Sequence, residues 1–140
     1  MNHYSYSDLK IGQTECFTVK IEDRMLASFR NITGDVNPLH MNDDFAQGNG
    51  YAGCVVYGML TASFLSTLAG VYLPGERSLI QSIESKFVNP VYVGDELTIR
   101  GIILALNDTV KQIEIKVEIK NQNGIKVLRG KMKVGVTGEA

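Results

Sequence analysis

From Phe45 to Gly75 the chain carries no charged side chain, and this uncharged run limits the possible folds more than any other feature. Within it, Gly58 to Tyr72 reads as one long helix stopped by Pro74-Gly75. Thr61, Phe64, Leu65, Leu68 and Tyr72 fall on one stripe. Ser63, Ser66, Thr67 and Gly70 fall on another, where small side chains let a sheet, a second helix or a ligand approach closely. A helix apolar nearly all round must be wrapped by the rest of the chain. Val55 to Leu73 is long enough to invite a membrane reading. Its glycines, serines and threonines argue against that, as do flanks (Asp43-Asp44 and Glu76-Arg77) without clustered positive charge. A helix inside a soluble core is expected, with no membrane partner.

The wrapping material is β-rich. Cys16 to Ile21 alternates and makes a plausible first strand, and Asp23 opens a helix through Met25, Leu26, Phe29 and Ile32 that Gly34 ends. Asn42-Asp43-Asp44-Phe45 reads as the start of a short helix. Beyond the long helix, Ile83, Ser85 and Phe87 share a face, and Leu97 to Arg100 is a strand with a bulge expected at Gly101. Lys111 to Lys120 alternates strictly, directing Ile113, Ile115, Val117 and Ile119 inward. Asn123-Gly124 marks a hairpin, and Ile125 to Val136 forms the last strand, its phase shifting near Leu128-Arg129. Four or five antiparallel strands around one apolar helix make an α+β fold in a single domain spanning residues 1–140.

A net charge of −1 supplies no basic field, so no nucleic-acid partner is expected. The late lysines alternate with apolar residues and read as the wet face of strands. Cys16 and Cys54 lack CxxC or zinc-ligand spacing and read as buried free thiols of a reducing, cytoplasmic setting. No apolar stretch suited to a signal peptide opens the chain. His3 and His40 are the only histidines, and no third ligand stands at metal-binding spacing, so no metal is expected.

Chemistry concentrates just before the long helix, in Asp35-Val36-Asn37-Pro38-Leu39-His40. Five residues of helix would leave Asp35 and His40 about 140° apart around the axis, whereas a Pro-stiffened loop can turn them toward one point. A carboxylate and an imidazole flanking a small void could hold one water and pass its proton, the equipment for adding water across a C=C bond or removing it. Negative charge would build on a neighbouring carbonyl oxygen. The N–H of Gly58, where the long helix starts, could receive it, and glycine there admits close approach. The same loop has a plainer reading, as a turn in which Asp35 accepts its own backbone N–H groups. Ser66 reads as helix packing or as a substrate contact.

The stretch from Phe29 to Ser66 resembles the MaoC-like, R-specific enoyl-CoA hydratase (hydratase 2) family. The likeness rests on Thr33-Gly34-Asp35-Val36-Asn37-Pro38-Leu39-His40, on Gly58-Met59-Leu60-Thr61-Ala62-Ser63, and on Phe87-Val88-Asn89-Pro90-Val91-Tyr92-Val93-Gly94-Asp95-Glu96-Leu97. It implies the hot-dog fold, a curved antiparallel sheet around a long central helix, paired as a homodimer. It further implies hydration of trans-2-enoyl thioesters to R-3-hydroxyacyl thioesters, or the reverse dehydration. Asp35 and His40 would hold the water, the Gly58 N–H would meet the thioester oxygen, Asn37 would shape the site and Ser66 would lie near it. No cofactor is implied beyond coenzyme A as part of the substrate. One departure is Tyr57, where the family commonly has His; a bulkier phenol with a different polar tip bears on pocket width and carrier preference.

Other readings share the fold: a 3-hydroxyacyl-carrier-protein dehydratase, a hot-dog thioesterase, or a non-catalytic acyl-thioester-binding protein. The Asp-x-Asn-Pro-x-His loop disfavours the last two.

Overall fold

A computed structural model describes residues 1–138, so the last two residues of the expected domain lie outside the described residues. In chain order the elements are β1 (Thr14–Lys20), α1 (Asp23–Thr33), α2 (Asp43–Gly48), α3 (Gly58–Thr67), β2 (Ser78–Phe87), β3 (Glu96–Asn107), β4 (Gln112–Lys120) and β5 (Lys126–Val136). The five strands form one antiparallel sheet in the order β1-β3-β4-β5-β2.

Helix α3 is the centre of this arrangement. Leu60, Thr61 and Leu65 are buried, and Leu68 and Ala69 continue the buried line into a π-helical turn, Leu68–Tyr72. The turn is visible in the Leu73 N–H, which reaches back to the Leu68 carbonyl at 2.8 Å. The sheet answers with Ile99, Ile103, Ile113, Ile115, Val117 and Ile119, all without exposed surface. Strict alternation in β4 produces this face, because side chains two apart share one side of a strand. On the opposite face Glu118 pairs with Lys126 at 3.4 Å, and Glu114 with Lys131 at 3.8 Å, the wet surface that the lysine pattern predicts.

Two sequence expectations need correction. Gly101 carries no bulge: it pairs in register with Glu15 and Val117, and the irregularity lies between Ile103 and Ala105. Its glycine serves packing instead. A Cβ there would stand 2.9 Å from both Leu68 Cδ2 and Ile115 Cγ2, so the missing side chain lets the helix seat on the sheet. The phase shift in β5 does fall beside Leu128, because the register skips Val127, leaving Val127 and Leu128 both buried. Both cysteines are free, but neither is fully buried: Cys16 is exposed on β1, an edge strand, and Cys54 is half-buried.

Between α1 and α3 the chain is held by turns. Gly34 closes α1 in the left-handed region at φ 73°, donating its N–H to the Arg30 carbonyl at 2.8 Å. The chain then makes a short 3₁₀ turn, Pro38–His40, capped by Asn37. Asn42 caps α2 in the same way, accepting the Phe45 N–H at 3.0 Å. Among the described residues no helix is long and apolar enough to cross a membrane.

Candidate active site

The loop that follows α1 is stiffened by its own side chains. Asp35 accepts the Asn37 N–H through Oδ1 at 3.1 Å, and Asn37 accepts the Leu39 N–H at 3.0 Å. These bonds use one oxygen of Asp35 and leave Oδ2 without a protein partner among the described residues. They also account for Asn37: it caps the turn, and its side chain is not part of the cavity wall described below.

His40, at the end of the turn, is fixed from the far side. The Val55 N–H donates to the Leu39 carbonyl at 3.1 Å, while the Val55 carbonyl lies 2.6 Å from His40 Nδ1. A carbonyl can only accept, so Nδ1 carries the proton, and in the neutral ring the lone pair sits on Nε2. Nε2 has no protein partner among the described residues. Nearby, the Cys54 N–H donates to Asp43 Oδ1 at 2.8 Å, tying the chain before Val55 to α2. That bond holds the Asp43 carboxyl below the usual carboxylate range. Burial, helped by the neighbouring Asp43 carboxylate, pushes the Cys54 thiol up.

Helix α3 supplies the third part. The Tyr57 carbonyl accepts the N–H groups of Leu60 and Thr61 at 3.0 and 3.1 Å. The amides of Gly58 and Met59 lie ahead of these bonds and find no acceptor among the described residues, as expected of a helix start. Gly58 has a second reason to be glycine: a Cβ would stand 3.2 Å from two ring carbons of Phe87.

These parts meet on one cavity of about 990 Å³. Asp35, His40, Tyr57, Gly58 and Ser66 all line it, so of the residues singled out from the sequence only Asn37 stands outside the wall. The small stripe of α3 reaches it through Ser63 and Ser66, and the shared face of β2 through Ile83, Ser85 and Phe87. Tyr57 borders the cavity but is only 2% exposed, and its polar tip is occupied elsewhere: the hydroxyl donates to the Asp35 carbonyl at 2.6 Å. Two contributors have no signature in the sequence: the Val55 carbonyl, and Arg30, which donates to the Tyr57 hydroxyl at 3.0 Å.

An antiparallel sheet around a central helix, with this cavity beside the helix start, defines a hot-dog protein of the hydratase kind. Residues 9–127 match the MaoC like domain, and the chain belongs to that family. It is 32% identical over 136 residues to an (R)-specific enoyl-CoA hydratase of Aeromonas caviae, covering 97% of this chain and 96% of that one. A mitochondrial 3-hydroxyacyl-[acyl-carrier-protein] dehydratase of Arabidopsis thaliana is 29% identical, over 87% of this chain and 74% of its own. Among solved structures, an unliganded R-hydratase of Pseudomonas aeruginosa superimposes with a TM-score of 0.89 at 26% identity, covering 96% of this chain and 86% of that one.

Proposed function

We propose that this chain is a hydro-lyase that adds water to trans-2-enoyl thioesters to give R-3-hydroxyacyl thioesters, and runs the reverse dehydration as concentrations dictate. One observation carries the reading. The unpartnered Nε2 edge of His40, the unpartnered Oδ2 of Asp35 and the unpartnered amide of Gly58 belong to residues lining a single cavity.

The chemistry follows from what each group can do. Asp35 and Nε2 of His40 hold one water between them. As the water oxygen bonds to the β-carbon, its proton passes to Nε2 and the conjugated electron pair moves onto the thioester oxygen. The Gly58 amide, at the positive end of α3, receives that charge. The imidazolium then returns a proton to the α-carbon, which completes the addition and restores the site. The acyl chain lies along Ser66 and the β2 face. No metal or redox group takes part, and coenzyme A enters as part of the substrate.

A second copy of the chain belongs to the proposal. Met59, Ile83 and Phe87, around the cavity, are 66%, 46% and 51% exposed, an apolar rim that a homodimer would cover. Coenzyme A is the carrier of choice, on the likeness to the Aeromonas hydratase. The likeness to the Arabidopsis dehydratase favours acyl carrier protein as the second reading. The two free thiols fit a reducing compartment, and we place the protein in the cytoplasm.

A panel of short, medium and branched trans-2-enoyl-CoAs, with an enoyl-carrier-protein arm, tests the reading. The conjugated-enoyl absorbance should fall without release of free thiol, and faster for the coenzyme A substrates. Thiol release without hydration would make the protein a thioesterase, and no turnover of any thioester would make it a binding protein.

A further inference from the structure

Tyr57 is nearly sealed from solvent, yet its hydroxyl is fully engaged on both sides. It donates to the Asp35 carbonyl at 2.6 Å and accepts from Arg30 Nε at 3.0 Å. Its ring stacks on the His40 imidazole, centroids 4.1 Å apart and planes 28° apart, and Phe29 packs on the ring at 4.9 Å. The Arg30 guanidinium carbon sits 5.9 Å from the same ring centre. One side chain therefore touches the main chain of Asp35 and the side chain of His40, and is anchored to α1 through Arg30.

From this we infer that Tyr57 is a positioning residue that fixes Asp35 and His40 relative to each other without touching the substrate's reacting atoms. The inference rests on the proposed roles of that pair in holding and deprotonating the water. Its physical content is that three short contacts on one rigid ring remove the freedom by which the loop could rotate the carboxylate away from the imidazole. A cationic donor on the phenol oxygen polarises the chain Arg30–Tyr57–Asp35 and strengthens its second bond. Small errors of placement cost rate steeply, because the reacting groups must meet within hydrogen-bond reach. Imidazole at this position could stack on His40, but its shorter reach would not make the bond to the Asp35 carbonyl in the same frame.

Tyr57→Phe keeps the ring and removes both hydroxyl bonds. We expect kcat for crotonyl-CoA to fall about 10- to 100-fold, while KM stays within about twofold, because the cavity wall and the Gly58 amide are untouched. Arg30→Ala should lower kcat in the same direction, and the double variant should be no slower than Tyr57→Phe alone, since both changes break one chain. Wild-type kcat in Tyr57→Phe overturns the inference, and so does a rise in KM that accounts for the whole loss, which would make Tyr57 a substrate contact. Should Tyr57→Phe not fold, Arg30→Ala decides by the same split of kcat and KM. Asp35→Asn and His40→Gln run beside them. If those two are inactive and Tyr57→Phe is not impaired, only the positioning role fails; if those two are fully active, the acid/base reading fails with it.

Discussion

At the scale of single residues, the types and order of Asp35 and His40 are plain in the sequence, and the cavity brings the two residues to one wall. What aims them is not legible there. The His40 tautomer depends on the Val55 carbonyl, and a backbone oxygen is present at every position, so no residue type announces it. Tyr57 stands out in the sequence as a departure, but the bonds of its hydroxyl to Asp35 and Arg30 are not legible there. Thr61 offers a separate test. It is 2% exposed, and its Oγ1 has no hydrogen-bond partner among the described residues. Thr61→Val keeps the β-branched shape and deletes a buried unpaired hydroxyl, so urea unfolding should show a gain of about 1 kcal/mol. A loss of stability would mean that the hydroxyl is satisfied in solution. The two thiols should also separate: exposed Cys16 should be alkylated by iodoacetamide before Cys54, whose thiol is pushed up. Mass spectrometry would read the order, and Cys54 reacting first would contradict it.

Elements are legible in the sequence where periodicity is strong. The bounds of α1, the inward face of β4 and the start of the long helix all follow from patterns of hydrophobic spacing and from turn residues. Local irregularities are not. The π-helical turn at Leu68–Tyr72 and the register shift after Ile103 answer to packing between elements, which spacing along one segment does not encode. Gly101 makes the point: its absence of a side chain looks like a bulge signal but belongs to the helix lying on it. Gly101→Ala should overpack Leu68 and Ile115 and cost about 1–3 kcal/mol in urea unfolding. An unchanged midpoint would show that the helix can lift off the sheet without penalty.

The molecule as a whole presents its cavity with an incomplete apolar rim, and a partner copy is the account's explanation for it. Sedimentation equilibrium should give twice the mass of the chain, and Ile83→Lys on the sheet-edge strand β2 should weaken the dimer and the activity together. A fully active Ile83→Lys monomer would remove the partner from the site. The central claim remains chemical: one water, held by Asp35 and His40, is added to an enoyl thioester whose oxygen rests on the Gly58 amide. Hydration of crotonyl-CoA by the wild-type protein, Asp35→Asn and His40→Gln, with chiral analysis of the product, tests it most directly. The account predicts R-3-hydroxybutyryl-CoA from the wild type, and a rate at least about 100-fold lower from each folded variant. The S product, or wild-type rates in both variants, would contradict it.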